Sequence, residues 1–156
     1  MRDRSAPLTD ADLPGLAWAK MDGLIPAVVQ DAATGQVLML GYMDLAAAAE
    51  TLRAGFVTFF SRSKKRLWQK GETSGNRLAV IAMHADCDQD ALLVRARPEG
   101  PTCHLGTAGC FSEDGAEGIG FLAELAHIVA ERAGAERDSS YTARLLAEGL
   151  PRIAQK

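Results

Sequence analysis

Residues 24–42 read LIPAVVQDAATGQVLMLGY, two apolar, β-capable runs on either side of Asp31, Ala32, Ala33, Thr34 and Gly35. Gly35 can take a positive φ, so the break between the runs is a hairpin signal, and strands over 24–30 and 36–42 are expected to pair antiparallel. With one helix after this hairpin and further strands beyond it, the expected fold is α+β and mainly antiparallel.

Downstream, Asp44 can cap an alanine- and leucine-rich segment, 45–54, and Gly55 stands where helices commonly end in a left-handed residue. A strand over 56–61 follows from its aromatic and β-branched residues, then a polar loop to Asn76, then strands over 77–85 and 91–96. Upstream, Pro7, Pro14 and Gly15 among scattered polar residues predict a loose arm over 1–15, with one helical turn near 16–20. Beyond Phe111 the composition changes. A small, acidic, glycine-containing linker over 112–120 precedes Phe121, Leu122, Leu125, Ile128 and Val129 at helical spacing, and a second helix is expected from about Asp138 through Leu145 and Leu146 to Gly149. The expected organisation is a domain over 1–113 and a helical extension over 114–156 that lacks a domain's worth of core.

A chain of 156 residues, 47% hydrophobic, suits one soluble domain with an appendage. No apolar run follows the charges of the N-terminus, and no stretch approaches the roughly 20 apolar residues that span a bilayer, so a cytoplasmic protein away from membranes is expected. Three cysteines, an odd number, fit a reducing compartment with thiols free for metal. The net charge of -3 conceals a cationic island: Arg62, Lys64, Lys65, Arg66, Lys70 and Arg77 stand against Glu72 alone. An anionic small ligand is implied; a nucleic-acid binder usually carries a basic domain.

Within that island, Ser61, Arg62, Ser63, Arg66, Trp68, Lys70, Glu72, Thr73, Ser74 and Asn76 combine hydroxyls, cations, a stacking ring and backbone donors beside two glycines. These are the parts of a phosphate cradle, and equally of a solvated charged loop. All three cysteines fall between Asp86 and Cys110. Cys87, Cys103 and Cys110 suit a soft or borderline cation, whereas Asp86, Asp88 and Asp90 suit magnesium or calcium. Alternation along an extended strand would turn the aspartates to one side and Cys87 to the other. Three thiolates leave a zinc position open for water; His104 could close it as a Cys3His site, although adjacent ligands sit uncomfortably on one tetrahedral ion, which favours His104 as an acid/base. The plainer alternative is three buried thiols and a solvated acidic turn.

Together, Tyr42-Met43, Ser61-Arg62-Ser63, Arg66-Leu67-Trp68, the run from Lys70 to Asn76, the run from Asp86 to Asp90, Cys103-His104 and Cys110-Phe111 resemble the phosphoribosyl-AMP cyclohydrolases of histidine biosynthesis, over residues 16–112. The resemblance implies hydrolysis of the N1–C6 bond in the adenine ring of 1-(5-phosphoribosyl)-AMP, giving the formimino-carboxamide ribotide. It implies an intertwined homodimer with zinc at the subunit interface, held by Cys87 of one subunit and Cys103 and Cys110 of the other. It also implies magnesium on Asp86, Asp88 and Asp90, and His104 moving protons. A zinc-stabilised nucleotide- or phosphate-binding module without turnover is the rival expectation.

The tail is similar to the opening of phosphoribosyl-ATP pyrophosphohydrolase, through Leu122-Ala-Glu-Leu125, the run from Asp138 to Gly149, and the run from Arg152 to Lys156. Its Glu124, Glu131, Glu136 and Glu148 contain no i, i+3 or i, i+4 pair. A truncated second domain without pyrophosphohydrolase activity is therefore the expectation.

Overall fold

The computed structural model describes residues 3, 5–111 and 119–154. The chain divides into two units, Met1–Gly115 and Ala116–Lys156.

In the first unit, β1 (Ile25–Asp31) and β2 (Val37–Met43) form the expected antiparallel hairpin, with Gly35 at φ 75°. The strands β5 (Arg77–Ala85) and β6 (Leu92–Glu99) pair antiparallel, and β6 then runs parallel to β1, giving the order β2-β1-β6-β5. Pro98 is tolerated in β6 because β1 pairing ends at Ala96, so the missing N–H costs no bond to β1.

Between the hairpins, α1 (Leu45–Ala54) starts at Asp44, whose side chain accepts from the Ala47 N–H at 2.7 Å, and ends on Gly55 at φ 71°. Its Ala47 and Ala48 pack into the core with Ile25, Ala27, Val29, Met43 and Phe59. The buried Thr51 hydroxyl accepts from the Thr58 N–H at 2.9 Å and ties α1 to β3 (Thr58–Ser61). Truncating Phe59 to alanine in so closed a core typically costs about 3–5 kcal/mol.

Two expectations are corrected. The polar stretch after Ser61 is not loop throughout: Arg66–Gln69 forms β4, antiparallel to β3, with the Trp68 ring stacked on Phe59 at 5.8 Å. Nor is the arm loose over residues 5–15. Leu8 and Leu13 are buried, the Leu8 N–H donates to the Met83 carbonyl at 2.7 Å, and short 3-10 turns at Leu13–Gly15 and Trp18–Met21 are joined by a bond from Trp18 Nε1 to the Leu13 carbonyl. Leu8, Leu13 and Leu16, buried without regular spacing, anchor a segment in which Pro7 and Pro14 leave room for no more than short 3-10 turns.

The second unit contains α2 (Ile119–Ala133), α3 (Tyr141–Glu148), capped by the Ser140 hydroxyl, and a four-residue helix α4 (Leu150–Ile153) with Pro151 in its first turn. Phe121, Leu122, Leu125 and Val129 of α2 are exposed. Apart from its last two residues, the expected 112–120 linker lies outside the described residues. No described helix is long and apolar enough to cross a membrane.

Candidate functional site

After β6 the chain runs through turns that lie along the outer edge of β2. Gly109 passes so close that a Cβ would come within 3.2 Å of the Val37 and Leu38 carbonyls, and the Cys110 N–H donates to the Leu38 carbonyl at 2.6 Å. This covers the sheet edge and fixes Cys110. Opposite it, the turn after β4 closes through Gly71, at φ 83°, where a Cβ would lie 2.4 Å from the Asn76 carbonyl; only glycine fits. Between these two segments lies a cleft of about 510 Å³. Trp68, Lys70, Glu72, Thr73, Ser74 and Asn76 line it from one segment, Thr102, Cys103, His104 and Cys110 from the other.

The two thiols differ. Hydrogen bonding from the Leu105 backbone, then from the Thr107 side chain, holds Cys103 below the ordinary thiol range. Cys110 is pushed up, first by desolvation of its thiol although the residue as a whole is exposed, then by Cys103. A neighbouring pair of this kind loses its protons in two steps, and a soft cation that displaces both is a natural occupant. His104 Nδ1 lies 3.9 Å from the Cys103 sulfur. The Thr102 hydroxyl beside them is buried with no partner among the described residues, a state that costs about 1–3 kcal/mol unless something else satisfies it.

Cys87 lies elsewhere. It lines a second cavity, of about 710 Å³, together with His84, Asp86, Leu93 and Arg95. Among the described residues, Asp86, Asp88 and Asp90 form the one group of three whose ligand atoms all come within 4.8 Å of one another. The expected convergence by strand alternation does not occur, because β5 ends at Ala85 and the aspartates lie beyond it. A tight turn gathers them: Asp86 Oδ1 accepts from the N–H groups of Asp90 and Ala91 at 3.1 and 3.2 Å, and Gln89 sits at φ 64°. Cys87 does not face cleanly away either; its sulfur is 3.8 Å from Asp88 Oδ1.

The Lys20 ammonium stands where a cation belongs, donating to Asp88 Oδ2 at 2.5 Å and bonded to the Asp90 carboxylate. It holds Asp88 below the usual carboxylate range and is itself raised. Any metal ion taken up by these carboxylates would compete with this ammonium. No local signal revealed Lys20: its turn is brought to the aspartates by a long-range bond from the Ala17 N–H to the Gln89 carbonyl.

The remaining cradle candidates divide. Ser61, at the end of β3, and Arg62 and Ser63, on the β3–β4 turn, lie outside the cleft lining, with the two serine hydroxyls 3.4 Å apart and the Arg62 guanidinium 4.1 Å above the Tyr42 ring. Arg66 pairs with Glu72 at 2.6 Å.

Residues 39–112 match the family model of phosphoribosyl-AMP cyclohydrolase. The histidine biosynthesis bifunctional protein HisIE of Shewanella oneidensis is 56% identical over 148 residues, covering 95% of this chain and 69% of that protein. HisIE of Escherichia coli K12 is 54% identical over 149 residues, covering 96% and 73%. The chain belongs to the phosphoribosyl-AMP cyclohydrolase family. As a phosphoribosyl-AMP cyclohydrolase it is an enzyme, and its matched span holds the cleft, the three cysteines, the aspartates and His104. Lys20 lies outside that span, although the relatives align over nearly the whole chain.

Proposed function

We propose that this cyclohydrolase opens the adenine ring of 1-(5-phosphoribosyl)-AMP in a cleft completed by a second copy of the chain, in histidine biosynthesis in the cytoplasm. The observation that carries this reading is the separation of the thiols. Cys103 and Cys110 share one cleft with His104, while Cys87 stands in another cavity of the same chain. A homodimer lets the partner's Cys87 complete the zinc ligand set at the subunit interface. Bound there, zinc supplies a Lewis acid that makes water nucleophilic near neutral pH.

The chain's own residues do the rest. His104 takes a proton from the attacking water and returns one to N1 as the C6–N1 bond breaks, so oxygen ends on C6 and hydrogen on N1. Trp68 offers a face for stacking, while Thr73, Ser74 and Asn76 offer hydroxyl and amide donors to the nucleotide. Ser61, Arg62, Ser63 and Arg66 are assigned to the phosphates that extend beyond the cleft. Asp86, Asp88 and Asp90 fit a hard divalent ion, magnesium, since their carboxylate oxygens lie within 4.8 Å of one another and two of them already hold a cation.

The helical unit is assigned to the opening of the second half of the bifunctional relatives, whose similarity runs past the family span. A spectrophotometric assay of ring opening on the purified chain, before and after zinc chelation, tests the reading. Turnover lost with zinc and regained with it is expected. Stoichiometric zinc without turnover would instead establish a binding module. For Asp88→Asn, weaker magnesium dependence at unchanged zinc content is expected, and parallel loss of both metals would show one merged site.

A further inference from the structure

Lys70 is the one buried cation of the cationic island, 8% exposed where Arg62, Lys64, Lys65 and Arg66 are all exposed. Two bonds place it. Its N–H donates to the Val57 carbonyl at 2.9 Å as the chain leaves β4, and its ammonium donates to the Asn76 carbonyl at 3.1 Å. Neither partner carries a charge. Among the described residues it has no carboxylate: Glu72, two positions on, is paired with Arg66. Lys70 lines the same cleft as Cys103 and Cys110, and these two thiols are the groups that act on it electrostatically, opposing the lowering that burial imposes.

An ammonium held partly out of water in a cleft wall is costly to keep without a counter-charge. Here the counter-charge becomes available when metal displaces the thiol protons. Three thiolates exceed the charge of a zinc ion by one, and a single fixed ammonium makes the set neutral.

Resting on the zinc reading above, we propose that Lys70 is the built-in counter-charge of the cysteine centre, a positioning residue that sets metal affinity through the Cys103 and Cys110 thiolates. Phosphate capture then falls to the exposed cations of the island. Lysine serves here because its compact ammonium fits beside the Asn76 carbonyl within the cleft wall.

The test uses the full chain with Lys70→Gln, which keeps a donor for the Asn76 carbonyl but removes the charge, and Lys70→Arg, which keeps the charge. Zinc affinity is measured by competition with a chromophoric chelator at fixed pH. Cobalt-substituted protein reports thiolate coordination through its charge-transfer absorption, and the Michaelis constant is measured on zinc-saturated enzyme. Expected are a zinc affinity lower by about 10-fold or more in Lys70→Gln, substantial recovery in Lys70→Arg, and a Michaelis constant near that of the wild type in both. Wild-type zinc affinity in Lys70→Gln with a raised Michaelis constant would overturn the proposal and return Lys70 to the phosphates. Equal loss in both variants would reduce it to a packing role. A wild-type chain that takes up no zinc would overturn the zinc reading and this inference with it.

Discussion

Cys110→Ala should lose bound zinc and ring-opening activity together, and Cys103→Ala should do the same. In the proposed centre three thiolates hold the ion, and removing one leaves a pair that cannot retain it against solvent or a mild chelator. The cleft itself should survive the change at residue 110. The bond from its N–H to Leu38 belongs to the backbone, and Gly109 keeps its close seat on β2. Loss of metal in a chain with an unchanged melting profile would therefore report on coordination and not on misfolding. Metal analysis beside the ring-opening assay makes the measurement; full activity with stoichiometric zinc in either variant would sink the assignment.

His104→Ala should behave differently, keeping zinc while losing rate by roughly 100-fold or more, the usual scale for a missing general acid/base. His104 shares the cleft with both thiols, and its Nδ1 lies 3.9 Å from the Cys103 sulfur. Its ligand atom does not gather with Cys103 and Cys110 into a compact set of three among the described residues. The Cys3His arrangement predicts the opposite pattern, loss of zinc with loss of rate, so metal content in this one variant separates the two roles.

The parts of the fold written in local chemistry were legible. Gly35 marked the first hairpin, while Asp44 and Gly55 bracketed α1, because turn and cap residues act over a few positions. What depends on distant partners was not. The strand β4 carries Arg66 and Gln69 at its ends and gains its place from Phe59 across the ladder; Leu8 gains its place from β5; the parallel pairing of β1 with β6 joins segments over sixty residues apart. At the site, residue chemistry singled out the thiols and the carboxylates, but not that Cys87 and Cys103 line different cavities, nor that Lys20 reaches the aspartates. Only Lys70 among the loop cations is buried, a distinction that composition does not carry.

The placement of Cys87 away from the other two thiols has a genetic consequence. In the proposed dimer each centre draws on both chains, so two inactive proteins can repair one another. When Cys87→Ala and Cys103→Ala chains are unfolded, mixed and refolded, a mixed dimer carries one centre stripped of two ligands and one with all three intact. Random pairing of equal amounts puts half the chains in mixed dimers with half their centres whole, so about one quarter of wild-type activity should return from two preparations that have none. Cys103→Ala mixed with Cys110→Ala cannot do this, because both lesions fall on the same side of the centre and every pairing leaves each cleft damaged.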